Sequence, residues 1–203
     1  MRAALSLLVG LLVLGGCRRE ATPFSGPRLR ALRVSKAPVL DGAAEEADWI
    51  RTASTGAFGS PLDGSPLSPH TELRALWNDE ALWLGVYCAD QDLRSSDSVH
   101  LSLKAANEVL LAISPAGVLS GAPPGVHAAV EVDGTLDGEE GGDDEEWVVE
   151  LEVPWKALGL KAPPPSVEVA AWRDDAPKGA ASRTVTWSRQ AGRPSVGLVE
   201  LSR

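Results

Sequence analysis

The sequence predicts an all-β fold, an antiparallel β-sandwich of jelly-roll type with two sheets and one or two short helical turns. Three observations lead to this fold class. Short segments alternate between apolar and polar residues with a period of two, which is typical of half-buried strands. Clusters of Gly, Pro and Asp separate these segments, and helical periodicity is scarce. Together these patterns favour many short strands packed as a sandwich.

The N-terminus predicts export and lipidation. Arg2 precedes an apolar run from Leu5 to Leu14, which is shorter than the roughly 20 residues of a membrane span. The following Leu14-Gly15-Gly16-Cys17 resembles a bacterial lipobox, in which the signal is cut before a lipidated cysteine. A plain signal peptide and a short hydrophobic anchor are the alternatives. We therefore predict a signal peptide at 1–16, lipidated Cys17 with a flexible tether at 17–28, and one domain at 29–203.

Charge and cysteine content narrow the function classes further. The formal net charge is −9, and no cluster of basic residues is present, which disfavours nucleic acid as a partner. If Cys17 is lipidated, Cys88 has no partner for an internal disulfide. Cys88 alternates with Leu82, Leu84 and Val86, so we expect a small buried side chain.

The predicted location is the bacterial cell envelope, and Arg18 directly after Cys17 favours the outer over the inner membrane.

Ten segments carry the strand pattern. In Trp147–Pro154, for example, Trp147 and Val149 point inward while Glu150 and Glu152 point outward. In Ser95–Leu103, Val99 lies on the apolar side and His100 on the polar side. The predicted strands are 28–35, 71–78, 81–89, 97–103, 108–114, 126–132, 147–154, 167–172, 183–189 and 196–201.

Turn and cap residues complete the prediction. Asn78 and Asp79 favour a tight hairpin between Trp77 and Trp83. Asp41 is a candidate N-cap for a helical turn that ends at Trp49. A second short turn is predicted between Pro154 and Gly159, because proline opens and glycine closes helical turns.

Several motifs, in order, resemble carbohydrate-binding module family nine of the DOMON-like superfamily. "PVLDGAAEEADW" (38–49) resembles its entry motif, and "TELRALWNDEALWLGVYCAD" (71–90) its strand–turn–strand signature. "SDSVHLSL" (96–103) is similar to the family's Asp-Asp-Ser-Val motif. "WVVELEVPWKALGL" (147–160) and the closing "TVTWSR…VGLVEL" match later motifs. The resemblance covers about residues 38–202 and implies an antiparallel sandwich that binds glycans without catalysing a reaction.

The sugar-binding residues of that family are only partly present. The family's polar ligand after Val is usually Glu, and His100 stands there; Asp97 matches the motif. The clamp tryptophan before that motif is absent, the strand 108–114 lacks the expected Arg and Asn, and the second clamp tryptophan is absent from "QAGRPSVG". The resemblance therefore implies either a binding module for a glycan or small ligand, or a structural or protein-interaction module with a degenerate sugar site.

Aromatic residues supply other candidates for ligand contact, because stacking on rings contributes much of the affinity for sugars. Trp83 and Tyr87 share one face of a strand, and packing beneath the loop 59–70 or in a second layer is the alternative to an exposed pair. Trp172 and Trp187 lie on late strands near loops. The predicted ligand-binding residues are Trp83, Tyr87, Asp97, His100, Trp172 and Trp187.

Other chemistries find little support in the sequence. No nucleophile, P-loop or dinucleotide motif is present, so we expect no enzyme activity. The three histidines lack metal-ligand spacing, and Met1, the only methionine, leaves with the signal, which disfavours haem. No cofactor is predicted.

Calcium could bind the acidic loop, although its spacing is not that of a calcium loop and a solvated loop is favoured. The loop's acids are Glu139, Glu140, Asp143, Asp144, Glu145 and Glu146. The expected partners are a carbohydrate or small ligand, the membrane through the lipid, and possible envelope proteins.

Overall fold

The computed structural model describes residues 24–138, 143–187 and 196–201. The predicted signal peptide, Cys17 and most of the tether lie outside these residues, so the division at 16 and 28 stays a prediction. Within them no helix has the length and apolar character needed to cross a bilayer. The elements are β1 (Arg28–Arg33), α1 (Ala47–Arg51), β2 (Thr71–Trp77), β3 (Ala81–Ala89), β4 (Ser98–Lys104), β5 (Glu108–Ile113), β6 (Leu119–Ser120), β7 (His127–Asp133), β8 (Glu146–Pro154), a 3₁₀ helix (Trp155–Leu158), β9 (Ser166–Asp175), β10 (Arg183–Thr186) and β11 (Gly197–Leu201).

The strands form two packed layers that are continuous at one side. The front sheet has the order β6-β5-β4-β9-β11, with β10 beside β9, and the back sheet has the order β2-β3-β8-β7. Strand β1 joins them, because its first four residues pair with β11 and its last two residues pair with β2. The all-β prediction with short helical turns is confirmed, and the result is one mixed sheet that is nearly barrel-shaped.

Both pairings of β1 are parallel, whereas the prediction was antiparallel throughout. Parallel neighbours need a long connection between them. The segment 34–70, which includes α1, provides that connection between β1 and β2. Because this crossover depends on long-range pairing, the local alternation did not reveal it.

The core lies between the two layers and follows the predicted alternation. On β4, Val99, Leu101 and Leu103 are fully buried, and on β8 Trp147 and Val149 are fully buried. Each strand therefore contributes alternate residues to the interior and leaves the others on an outer face. The outer face of the front sheet is open, and that of the back sheet is largely covered.

Residues 34–52 provide that cover. The Trp49 ring packs on Gly85 of β3, where an added Cβ would lie 3.1 Å from the ring. The helical turn was predicted to begin after Asp41, but α1 begins at Ala47 with Glu46 at the N-cap. Asp41 is not the cap: its Oδ1 accepts the N–H of Ala43 in a local turn.

The other local predictions are confirmed. Asn78 closes the β2–β3 hairpin by accepting the N–H groups of Glu80 and Ala81. The second helical turn is the 3₁₀ helix, and Gly159 ends it with a φ of 74°. Cys88 is fully buried, and burial raises the pKa of its thiol to about 12.

Candidate functional site

The open outer face of the front sheet brings together residues from three strands. His100 on β4 lies opposite Trp172 on β9, and Ser98 lies opposite Asp174 in the same ladder. Thr184 on β10 lies opposite Asp174 from the other side. We call these five residues the His100 face. Period-two alternation places them all on one side, with Val99 and Arg173 pointing inward.

Two rings form the centre of the His100 face. The imidazole of His100 and the indole of Trp172 stack with centroids 4.9 Å apart and an interplanar angle of 1°. The two residues are direct cross-strand neighbours, whose Cβ atoms lie about 5 Å apart in a sheet, so the backbone register accounts for the stacking. Each ring limits the rotation of the other. The face therefore presents a fixed aromatic group.

Polar atoms surround the ring pair. His100 Nε2 lies 2.9 Å from Ser98 Oγ and 3.2 Å from Asp174 Oδ2. Thr184 Oγ1 donates a hydrogen bond to Asp174 Oδ1 at 2.5 Å. The side chain of His100 is 26% exposed and that of Asp174 is 43% exposed, so both are accessible to a ligand. This arrangement offers hydrogen-bond acceptors and donors beside an aromatic surface.

The same geometry does not form a serine-hydrolase relay. In such a relay the histidine uses one ring nitrogen for the serine and the other for the carboxylate. Here Ser98 and Asp174 both approach Nε2 of His100. The group therefore does not have the geometry of such a relay.

The front sheet extends the face beyond the rings. Ser102 follows His100 on the same side of β4, and its hydroxyl donates to Glu108 Oε1 at 3.2 Å. Leu110 of β5 lies opposite Ser102 and is 57% exposed. A ligand longer than one ring could thus lie along β4 and β5.

Trp83 and Tyr87 lie on β3 of the back sheet, whereas His100 lies on β4 of the front sheet. The three residues therefore do not form one site. Trp83 is only 2% exposed and packs with Trp49 and Leu76. Its ring has no face open to a ligand. Of the two predicted alternatives, an exposed pair or packing in a second layer, Trp83 follows the second. The reason is the cover formed by residues 34–52, which the alternation within β3 does not reveal.

Tyr87 is half-buried on the same outer face of the back sheet. Its ring lies 5.9 Å from that of His70 at an angle of 60°. A hydrogen bond to the Glu146 carboxylate, together with burial, raises the pKa of its hydroxyl to about 12. Tyr87 therefore belongs to a local polar group with His70 and Glu146 and is separate from the His100 face.

Asp97 lies beneath the surface and not on it. The residue is 1% exposed, and its carboxylate accepts the N–H groups of Ala176 and Arg94. Burial, and hydrogen bonding and charge repulsion from Asp90, raise its pKa to about 7. Although the motif match placed Asp97 among the ligand-binding residues, the structure gives it a role in joining two loops.

A buried arginine organises the acids around Asp97. Arg173 is fully buried, and its guanidinium donates to Asp90 at 2.6 Å and to Asp175 at 2.7 Å. Arg183 binds the other oxygen of Asp175. One oxygen each of Asp90, Asp97 and Asp175 lies within 4.8 Å of the others, a spacing that could hold a metal ion. Because Arg173 binds Asp90 and Asp175, and Arg183 also binds Asp175, an arginine-centred cage describes the group better than a metal site.

Trp187 is half-buried at the edge of the sandwich. Its ring lies over Gly197 of β11, where an added Cβ would come within 2.4 Å, and it packs against the core. The backbone N–H of Trp187 donates to the carbonyl of Ala171, next to Trp172. The indole is therefore mainly a packing group. The segment 188–195, which holds most of the stretch where the resemblance implies a second clamp residue, lies outside the described residues.

The acidic loop borders a cleft of about 880 Å³ at one end of the sandwich. Residues 139–142 lie outside the described part of the chain. The acids of this loop were expected to be solvated, and Asp144 is an exception. It is 8% exposed and accepts the N–H groups of Leu93 and Thr135. Asp144 thus anchors neighbouring loops. The described lining consists of Ser68, Pro69, His70, Ala89, Asp90, Gln91, Asp92, Asp133, Asp143, Asp144, Glu145, Pro177 and Arg183.

The sequence reasoning missed Asp174, Thr184 and the buried Arg173. Asp174 follows Trp172 by two residues, so the alternation of β9 already placed both on one face. Thr184 had no local signal, because only the pairing of β10 with β9 brings it there. The ion pair of the buried Arg173 with Asp90 likewise has no local signal, because the two residues lie 83 positions apart in the chain.

Comparisons with known proteins agree with this architecture. No protein-family model matches the sequence, and no curated protein matches it significantly. Among solved structures, a candidate carbohydrate-binding protein of Bacteroides uniformis has a TM-score of 0.62 and 14% identity, with 88% of this chain and 100% of that chain covered.

Two further matches are family 9 carbohydrate-binding modules of Caldicellulosiruptor kristjanssonii. The one solved with cellotriose has a TM-score of 0.63 and 14% identity, covering 86% of this chain and 93% of that chain. The one solved with glucose has a TM-score of 0.59 and 15% identity, covering 86% and 95%. The chain therefore has the fold of carbohydrate-binding module family 9.

Proposed function

We propose that this protein is a non-catalytic carbohydrate-binding module that holds a sugar on the His100 face. The stacked pair of His100 and Trp172, bordered by Asp174 and Ser98 on an open sheet face, is the observation that carries the proposal. The similar modules solved with cellotriose and glucose support the same ligand class. His100 also stands where the family resemblance places a polar sugar ligand.

The chemistry of the face suits a sugar. A pyranose packs its C–H groups on an aromatic surface, and its hydroxyl groups need both donors and acceptors of hydrogen bonds. Trp172 and His100 cover one face of each other, so the ring surface offered to a sugar is the outer side of the stacked pair, while Asp174 accepts and Ser98 both donates and accepts. Because each ring is held by the other, little side-chain entropy is lost on binding.

Titration of the purified chain with a panel of oligosaccharides that includes cellotriose tests the proposal. Trp172→Ala should weaken binding by at least tenfold, and Asp174→Asn by a smaller factor, since stacking and a charged acceptor each contribute about 1–3 kcal/mol. Tyr87→Phe, on the other sheet, is the control and should leave affinity unchanged. Calorimetry gives the affinities, and thermal melting confirms that each variant is folded.

Two outcomes contradict the proposal. If no member of the panel changes the heat signal, tryptophan fluorescence or melting temperature, the face is not a sugar site and the protein-interaction module becomes the better description. If Trp172→Ala binds as tightly as the wild type while Tyr87→Phe does not, the ligand lies on the other sheet.

We further propose that the module is tethered by lipid at Cys17 to the bacterial envelope, on the outer membrane. The apolar run and the Leu-Gly-Gly-Cys sequence support this placement. Replacement of Cys17 by Ser should release the protein from sedimented membranes. Continued sedimentation of the Cys17→Ser protein with membranes would contradict lipidation.

A further inference from the structure

The back sheet ends in an open edge at β7. This strand is the last in the sheet order, and all 7 of its residues pair with β8 in one uninterrupted antiparallel register. No other segment of the described chain forms a backbone hydrogen bond or a bridge with β7 on its far side. In an antiparallel ladder only every second residue exchanges hydrogen bonds with a given neighbour, so part of the N–H and C=O groups of β7 point away from β8. Such an edge can pair with one more strand.

The edge of the front sheet is protected, in contrast to β7. Strand β6 has only 2 residues, and the chain after it runs against β5, because a Cβ at Gly121 would lie 2.4 Å from the carbonyl oxygen of Leu110. Pro123 and Pro124, which have no N–H to donate, follow. Short edge strands, prolines, lysines and bulges are the usual protection against pairing with another chain. Strand β7 has none of these features.

The inward side chains of β7 are incompletely buried. Val130 and Val132 pack against the core but remain partly exposed, whereas Val149 and Leu151 on the neighbouring β8 are fully buried. The difference arises because β7 has a neighbouring strand on one side only. A further strand beside β7 would cover these apolar side chains and bind the free backbone groups at the same time.

The C-terminal end of the β7 edge is acidic. Glu131, Asp133 and Glu145 are exposed there, and Asp133 and Glu145 also line the acidic cleft. None of the three forms an ion pair within the described part of the chain. This end of the edge therefore offers negative charge to whatever pairs with β7.

The N-terminal end of the same edge carries basic side chains. His127 is exposed at the start of β7. The exposed Lys156 lies nearby, since a Cβ at Gly125 would be 3.5 Å from its Cε atom. One acid, Glu152, stands opposite His127 on β8. The two ends of the edge thus differ in charge, with the negative charge concentrated at the end of Asp133.

We infer that the β7 edge pairs with the β7 edge of a second copy of this chain, antiparallel and about a two-fold axis through Val130. This register pairs every residue of both strands and places His127 of each copy directly opposite Asp133 of the other. Side chains in such positions have Cβ atoms about 5 Å apart. The acidic end of each strand therefore meets the end with Lys156 of the other copy. The contact is self-complementary and closed, whereas a basic strand from a different protein would match the acidic end alone.

The pairing would join the two back sheets into one continuous sheet. It uses no residue of the His100 face, so the dimer presents this face twice. Two faces on one particle would increase the apparent affinity for a ligand with several binding positions. The pairing itself does not depend on sugar binding.

Sedimentation velocity over a concentration series tests the inference, with Cys17→Ser in the full chain to remove the predicted lipid. This starting protein should change from monomer to dimer as its concentration rises. His127→Glu places two acids opposite each other at both symmetric positions and should raise the dissociation constant about tenfold or more. Asp133→Lys should also raise it, although it lowers the negative charge of the chain. The double variant His127→Glu, Asp133→Lys restores an ion pair at both positions and should return the dissociation constant to within about threefold of the starting value.

A matched control separates the edge from net charge. Glu200→Lys makes the same change of charge as Asp133→Lys, but on β11 of the front sheet, and should leave dimerisation unchanged. Thermal melting confirms that each variant is folded.

Disulfide trapping tests the register. Positions 127 and 133 are about 20 Å apart along one strand, too far for a bridge within one chain. The native Cys88 is buried and does not compete. The double variant His127→Cys, Asp133→Cys should therefore form a covalent dimer on mild oxidation, and each single variant should form much less.

Three results overturn the inference. The first is a starting protein that stays monomeric at every concentration. The second is a dimer whose dissociation constant is unchanged in both single charge variants. The third is a double cysteine variant that forms no more covalent dimer than the single variants do.

Discussion

Replacement of Asp97 by Asn should remove the part of the pH dependence of stability between pH 4 and 7 that this carboxyl contributes. Asp97 is 1% exposed, and burial together with Asp90 raises its pKa to about 7 from an ordinary value of 3.8. Asparagine has nearly the same shape. Its oxygen can accept the N–H of Ala176 and its amide can donate to Asp90, but the amide replaces the oxygen that accepts the N–H of Arg94 at 3.3 Å. That loss is the same at every pH and leaves the pH dependence unaffected. The substitution therefore removes the titration with little change in packing.

The sign and size follow from the two pKa values. Between pH 4 and 7 the unfolded chain has released this proton while the folded chain keeps it, so the free energy of unfolding falls as the pH rises. The slope is about 1.4 kcal/mol per pH unit, and the 3.2-unit difference between 3.8 and about 7 gives roughly 4 kcal/mol at most. Above pH 7 both states are ionised and the dependence ends.

Urea unfolding at a series of pH values from 4 to 8 measures this effect. The wild type and Asp97→Asn should have similar free energies of unfolding near pH 4, and the variant should become the more stable by up to about 4 kcal/mol at pH 8. Asp137→Asn is the control, because backbone and side-chain hydrogen bonds from Ser95 lower the pKa of that exposed acid and its titration lies below this range. A parallel pH dependence in the wild type and Asp97→Asn would refute the reasoning.

Three further predictions concern packing. Gly197→Ala places a Cβ 2.4 Å from the Trp187 ring and should lower the free energy of unfolding by about 1–3 kcal/mol; an unchanged urea midpoint would show that the ring moves freely. Trp83→Ala removes a ring that is 2% exposed and should cost about 3–5 kcal/mol, whereas an exposed platform would cost little. Cys88 should react with a thiol reagent only after denaturation, because it is fully buried with a pKa of about 12; rapid labelling of the native chain would contradict this.

The alternation of the strands was the most reliable guide to the fold. It placed Val99, Leu101 and Leu103 inside and His100 outside, as the structure shows. The turn residues Asn78 and Gly159 also occupy the positions that their local chemistry predicted. These features depend on neighbours within a few residues, so the sequence is sufficient to derive them.

The exposure of an outward-pointing side chain also depends on a second layer, which the strand pattern does not reveal. Trp83 and Tyr87 share one face of β3, but residues 34–52 cover Trp83 and leave Tyr87 half-exposed. Asp97 matches a binding motif in the sequence, and in the structure it is buried beside Asp90 and Asp175, the two acids that Arg173 binds. In each case a segment distant in sequence decides whether an outward-pointing side chain meets solvent.

The candidate site shows the same division between local and long-range information. The sequence proposed His100 and Trp172 separately, and only the β4–β9 register stacks them and adds Asp174. Thr184 joins them through the pairing of β10 with β9. A register one residue different would turn one of the rings toward the core.

The sequence by itself determined the all-β class, the inward and outward sides of most strands, and the positions of the tight turns. These properties follow from side-chain alternation and local backbone preferences, which act over a few residues. Only the tertiary structure decided that β1 joins the sheets in parallel, that the His100 face is open, and that Glu150 is covered. Those outcomes depend on strand register and on the segment between β1 and β2, which bring together residues far apart in the chain.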